Sequence, residues 1–304
     1  MYPSIQPYQK KWLHTDTLSN GTPVEIYVEC SGNPNGIPIL YLHGGPGDHS
    51  TPRCRRLYDP KFYKIILFDQ RGCGLSKPSN HTEKNNTNHL IMDIECIRTF
   101  LDISHWIVSG GSWGSTLALL YTQSHPAKVK ALLLRGIYDL SSDKVVDNMY
   151  PEQEDKLKKF LHVTKSGEED VVIQKVLSRK TKKRNALIRL LSEEPQMHVT
   201  TKTTRKEPFK VSETIAIIGT HYSIHHHFST KRDIYKNMHK IKHIPTIMVE
   251  GRYDMVTPPK MAYDLSKRFD HCDLYMVPAG HSATEREVTK ELVRASNELK
   301  QLCS

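Results

Sequence analysis

Long apolar runs are what this chain of 304 residues most clearly lacks. None approaches the roughly 20 residues that a membrane-spanning helix requires. The opening Met1-Tyr2-Pro3-Ser4 has neither the basic nor the apolar region of a secretory signal. Cysteine is sparse, and the six at positions 30, 54, 73, 96, 272 and 303 keep no metal-ligand spacing. Tryptophan is limited to Trp12, Trp106 and Trp113, and no internal repeat is visible. These absences set the expectation of a soluble, cytoplasmic protein in a reducing compartment, with no membrane partner. Charge is plentiful and its balance is basic: 43 Lys and Arg against 33 Asp and Glu give a net of +10, and the basic side chains are densest at Arg179-Lys180-Thr181-Lys182-Lys183-Arg184. That run has no interleaved aromatics, so it reads as a solvated helix face that aids solubility and not as a nucleic-acid site.

The length suits one large α/β domain with an insertion, or two ordinary domains. Strand-like segments near residues 24–29, 38–42, 64–68, 106–109 and 131–134 alternate with helix-like segments near 89–101 and 113–124. Such alternation predicts a mostly parallel, doubly wound sheet covered on both faces. From about Ser141 to Lys240 the pattern changes to helical spacing alone, as in Leu157, Phe160, Leu161 and Leu187, Leu190, Leu191, before strand signals resume at Ile244. We read residues 1–140 and 241–304 as one catalytic core and residues 141–240 as an inserted helical cap above the carboxyl ends of the strands.

The chemistry-bearing motif is Gly110-Gly111-Ser112-Trp113-Gly114, set between the apolar Trp106-Ile107-Val108 and the helix-like Ser115 to Leu120. Strand, sharp turn and helix in that order make a nucleophile elbow, with Ser112 at its tip and small residues where larger ones would clash. After the apolar run Ile37 to Tyr41 comes His43-Gly44-Gly45-Pro46-Gly47, the pattern of an oxyanion-hole loop. A tetrahedral intermediate needs at least two N–H donors, which we assign to the backbone of Gly45 and Trp113. Further on, one strand ends in an acid at Gly251-Arg252-Tyr253-Asp254 and another in a histidine at Gly280-His281. Alone, Asp254 also suits a turn and His281 a cap for a helix starting near Ala283. Together, Ser, Asp and His in that chain order are expected of an α/β-hydrolase, with Ser112 as nucleophile, His281 as general base and Asp254 fixing its tautomer.

These residues, with Leu67-Phe68-Asp69-Gln70-Arg71-Gly72-Cys73-Gly74, Asp93-Ile94-Glu95 and Leu134-Arg135-Gly136-Ile137, make the chain resemble the proline iminopeptidases, or prolyl aminopeptidases, of the α/β-hydrolase superfamily. The resemblance spans nearly the whole core. It implies release of an N-terminal proline from a small peptide, without metal or organic cofactor.

In the cap the resemblance thins. The family leads one to expect an acid just before an Asn-His-Tyr segment, whereas here Ile218-Gly219-Thr220-His221-Tyr222 puts Gly219 in its place. Glu194, Glu213, His221 and Tyr222 are the candidate substrate-binding residues. Glu213, Glu194, Glu250 and Asp48 are the carboxylates that would replace the acid, each of which also suits an ordinary solvated side chain. The cluster His221, His225, His226 and His227 lacks a cysteine or spaced carboxylate to complete a metal site, so it reads as lining or rimming the cap. Asp69 and Arg71 read as a structural ion pair or turn brace beneath the oxyanion loop. Three functions follow from these residues: a prolyl aminopeptidase, a hydrolase of altered specificity acting on a small ester, amide or lactone, or a silent binding protein on a hydrolase scaffold. The complete Ser-Asp-His set opposes the last.

Overall fold

The computed structural model describes residues 1–141, 151–163, 169–177, 181–191 and 212–303. Its strands are β1 (Gln9–Thr17), β2 (Pro23–Gly32), β3 (Ile37–Leu42), β4 (Tyr63–Phe68), β5 (Trp106–Ser112), β6 (Val129–Ile137), β7 (Thr246–Gly251) and β8 (Cys272–Val277). They form one sheet in the order β1-β2-β4-β3-β5-β6-β7-β8. The β1, β2 and β4 neighbours pair antiparallel, and every later pair is parallel. The mostly parallel, doubly wound sheet expected from the sequence is therefore present.

Successive residues of a strand point to opposite faces, and the core divides accordingly. Leu40, Leu42, Ile66, Phe68, Val108, Leu132, Leu134 and Met248 face one side. After the short helix α1 (Pro52–Arg55) come the helices whose buried stripes they meet there, α2 (Thr87–Phe100), α3 (Trp113–Ser124) and α9 (Pro259–Ser266). Ile39, Ile65, Leu67, Ile107, Leu133, Ile247 and Val249 face the other side, covered by Val288, Leu292, Ala295 and Leu299 of α10 (Arg286–Cys303). Burial on both faces is why these strands read as near-continuous apolar runs.

Strand β1 was not among the expected elements. It lies at the sheet edge, where Lys10 and Lys11 stay in solvent and its apolar contribution reduces largely to Leu13 and to Trp12 against Tyr27, ring centroids 5.1 Å apart. Charged residues on an edge strand guard against pairing with other chains, and they also dilute the alternation that would reveal it.

Between β6 and β7 the described residues are helical: α4 (Pro151–Leu161), α5 (Glu169–Leu177), α6 (Lys182–Leu191), α7 (Glu213–Ile224) and α8 (Lys231–Lys236). Leu157, Leu161, Ile173, Leu177 and Leu187 form a small separate core with Ala216 of α7. Helix α7 has two allegiances, since its Ile218 and Tyr222 join the main sheet core. One expectation needs correction here. Arg184, the end of the basic run, is buried: its Nε donates to the Leu177 carbonyl at 3.0 Å and its guanidinium pairs with Glu213. It fastens α6 to α5 and α7, while Lys182 and Lys183 remain solvated. Among the described residues no helix is long and apolar enough to cross a membrane.

Candidate active site

Ser112 ends β5 and Trp113 begins α3, so the chain reverses within one residue. Ser112 accordingly sits at φ 57° and ψ −128°, a conformation that a non-glycine residue adopts only under constraint from its surroundings. The constraint is steric. A Cβ on Gly110 would collide with the Gly114 carbonyl, and one on Gly114 with the Leu42 carbonyl, so glycine at both positions lets helix, strand and oxyanion loop close on the serine.

The structure brings three dispersed side chains together at the carboxyl ends of β5, β7 and β8. Ser112 Oγ lies 3.0 Å from His281 Nε2, and His281 Nδ1 lies 2.7 Å from Asp254 Oδ2. Asp254 takes three further hydrogen bonds, from the Val256 and Thr257 amides on Oδ1 and from the Thr257 hydroxyl on Oδ2. Burial alone would raise the carboxyl's pKa. The hydrogen bond and charge of His281, with the Thr257 amide, outweigh it and hold Asp254 below the usual carboxylate range. An ionised Asp254 requires the proton of neutral His281 to sit on Nδ1, which leaves the Nε2 lone pair facing Ser112.

The histidine loop is clamped from both sides. Arg135 of β6 donates to the His281 carbonyl at 2.8 Å, and the Gly280 amide donates to Glu285 at 3.0 and 3.1 Å. His281 does not cap a helix, because α10 begins at Arg286.

The loop that carries Gly45 lies against the serine, since a Cβ on Gly44 would sit 3.3 Å from Ser112 Cβ, and Trp113 follows the serine in the chain. The Trp113 N–H occupies the first position of α3, where no intrahelical acceptor exists and the helix dipole favours negative charge. Among the described residues neither that N–H nor that of Gly45 has a partner. The two segments are tied by Gln70, which was quoted in a motif above but given no role. Its amide donates to His43 Nε2 at 2.9 Å, its side-chain Nε2 donates to the His43 carbonyl at 2.8 Å, and its Oε1 accepts from Trp113 Nε1 at 3.0 Å. His43 is kept neutral, its pKa lowered by burial, with Nδ1 donating to the Gly44 carbonyl. Gln70→Ala should therefore lower kcat roughly 10- to 100-fold with little change in KM, since an orphaned indole N–H and a loosened loop cost about 1–3 kcal/mol. Steady-state kinetics would reveal it, and wild-type kcat would show that the loop holds without this residue.

Helix α7 lies over the loop. A Cβ on Gly47 would strike Ile215 and the Thr214 carbonyl, whereas a Cβ on Gly219 would meet only the Pro46 carbonyl, at 3.4 Å. His221 and Tyr222 are buried and both turn to Asn85, His221 Nε2 to its carbonyl at 2.7 Å and the Tyr222 hydroxyl to its Oδ1 at 3.1 Å. The Tyr222 ring stands edge-on to Trp113 at 5.1 Å. Glu213, in the first turn of α7, is held by Arg184, and Glu194 lies outside the described residues. Asp48 pairs with His49 at 3.3 Å. Glu250 is fully buried and is not a solvent-facing substitute acid.

Of the four clustered histidines, His221 and His225 lie against each other, ring centroids 4.7 Å apart. His225 stacks on Phe228 and His227 packs against Trp113 and Tyr138, while no group of metal-ligating side chains occurs among the described residues. Asp69 and Arg71 do not pair with each other. Asp69 braces Ser50 and the Leu75 amide, whereas Arg71 grips Asp93 through two hydrogen bonds of 2.6 and 2.9 Å and reaches Asp16.

Comparison with known proteins bears on the fold and the family. A family described as alpha/beta hydrolase fold matches residues 37–287. A proline iminopeptidase of Neisseria meningitidis is 36% identical over 320 residues, covering 98% of this chain and 98% of that protein. One from Arabidopsis thaliana is 37% identical over 323 residues, covering 99% of this chain and 82% of its own length. Among solved structures, a thermophilic esterase from Thermogutta terrifontis superposes with a TM-score of 0.63 at 16% identity, covering 97% of this chain and 100% of its own, a likeness of fold alone.

Proposed function

The chain belongs to the proline iminopeptidases of the α/β-hydrolase fold family, and from that membership we propose that it is a serine aminopeptidase releasing N-terminal proline from small peptides. The observation that supports its chemistry is the unbroken hydrogen-bond chain from Asp254 through His281 to Ser112. In this reading Ser112 Oγ attacks the prolyl carbonyl as its proton passes to His281 Nε2, and the carbonyl electron pair moves onto oxygen. The N–H groups of Gly45 and Trp113 receive that oxyanion. Collapse expels the peptide amine, which takes the proton back from Nε2, and a water repeats the sequence to free proline. Asp254 stays ionised throughout and stabilises the imidazolium. Nothing in these steps calls on a metal or organic cofactor.

Residues 141–240 act as the cap on a core of residues 1–140 and 241–304, a reading supported by the seat of α7 on Pro46 and Gly47. Tyr222 shapes the pocket through Trp113, and His221 and Glu213 hold α7 in place. The absence of an acid at Gly219, which sits against the Pro46 carbonyl, favours a second reading, a hydrolase of altered specificity acting on a small ester, amide or lactone. A panel of prolyl, alanyl and leucyl arylamides with short-chain p-nitrophenyl esters separates the two. The prolyl arylamide should lead the other amides by roughly tenfold or more in kcat/KM. Esters turned over while every arylamide fails would replace the aminopeptidase with the second reading.

A further inference from the structure

One buried carboxyl at the site has no part in the steps above. Glu250 is the penultimate residue of β7 and has no solvent exposure, four residues before Asp254. The Gly251 amide donates to its Oε1 at 3.1 Å and the Ile137 amide, from neighbouring β6, to its Oε2 at 2.8 Å. The remaining reach of the carboxyl is to Asp254, with which it shares a hydrogen bond. Two carboxyls so joined inside a protein must hold a proton between them, because two buried like charges in contact cannot both persist.

The donors decide which one carries it. Asp254 receives four hydrogen bonds besides this one, including that of His281, whereas Glu250 receives two from neutral amides. The other charged groups nearby do not reverse that order. The charge of Arg135 on β6 draws the Glu250 carboxyl down but ranks behind burial and Asp254, while its guanidinium also donates to the His281 carbonyl, and Glu285 beyond β8 is turned to the Gly280 amide. Burial, then the charge of Asp254, push the Glu250 carboxyl well above its ordinary range.

We propose that Glu250 is a positioning residue of the nucleophile machinery: a neutral carboxylic acid that donates its O–H to Asp254 and so sets how strongly Asp254 supports the charged form of His281. The inference rests on the reading of Ser112, His281 and Asp254 as a triad. A hydrogen bond donated to Asp254 spreads its charge and weakens its pull on the His281 imidazolium. Without that donor Asp254 keeps its charge undiluted and stabilises the imidazolium better.

The test is the pH dependence of covalent labelling by a fluorophosphonate, which reports nucleophile activation in the free enzyme without needing the peptide substrate. Glu250→Met, which removes the donor, should move the acid limb of the labelling rate up by about one pH unit, and Glu250→Gln, a neutral donor of the same shape, should leave it in place. A limb that moves down in Glu250→Gln would mean that the wild-type group is ionised, and a limb unmoved in both variants would make Glu250 merely structural; either overturns the proposal. Absence of Ser112-dependent labelling in the wild type would remove the triad reading, and this inference with it. Should the variants fail to fold, infrared spectroscopy of the wild type at pH 8 decides, because the proposal requires a protonated carboxyl band there and its absence refutes it.

Discussion

Ser112→Ala should lower kcat by at least about a thousandfold while the protein still unfolds in one cooperative transition. In the proposed mechanism the loss is large because every covalent step passes through this oxygen. What survives is the water reaction assisted by the Gly45 and Trp113 N–H groups and by substrate binding. The fold has little to lose. The serine side chain has His281 as its partner, and the strained backbone at φ 57° is imposed by the glycines and strands around it. Steady-state turnover and thermal denaturation of the same preparation check both halves, and near wild-type turnover would dismiss Ser112 as the nucleophile. A collapse of stability without it would instead recast the elbow as a structural corner.

The candidate site was legible in the sequence for a physical reason. Each of its groups rides at the end of a parallel strand, and a strand buried on both faces announces itself as a short apolar run ending in glycine. Ser112, Asp254 and His281 could be placed in order from those endings, and the strands near 38–42, 64–68 and 106–109 from the runs themselves. What could not be read depends on partners distant in sequence. Gln70 joins the oxyanion loop to the indole of Trp113, which only the packed structure shows. Arg184 looks like one more solvated cation in a basic run until α6 docks on α5 and α7 and buries it. Asp69 and Arg71, two residues apart, invite pairing, yet each is claimed by a different element, Asp69 by the segment around Ser50 and Arg71 by Asp93 of α2. Glu250 was visible as an acid on the strand that leads to Asp254. Its depth was not, because nothing in the local pattern distinguishes a carboxylate at the rim of a sheet from one beneath it.

Acetylating the imino nitrogen of a prolyl arylamide should cost about 2–5 kcal/mol in kcat/KM, roughly 30- to 5,000-fold, the usual loss when one side of a desolvated charge pair is removed. The reasoning starts from the substrate. An enzyme that takes residues from a free N-terminus must bind a cation, and a buried cation without a carboxylate is costly. Gly219 supplies none, Glu213 is engaged by Arg184, and Glu250 lies behind Asp254. That leaves Asp48 as the described carboxylate on the oxyanion loop itself. Burial would raise its carboxyl, but the hydrogen bonds from His49 outweigh it and hold the group below the usual range, so it is ionised at neutral pH. Asp48→Asn should then shrink the gap between free and acetylated substrates by slowing the free one selectively. Comparing the two substrates on wild type and variant is decisive. A free-to-acetylated ratio near unity in the wild type would end the aminopeptidase assignment and leave a serine hydrolase of another specificity. A large ratio untouched by Asp48→Asn would move the cation's partner off the oxyanion loop.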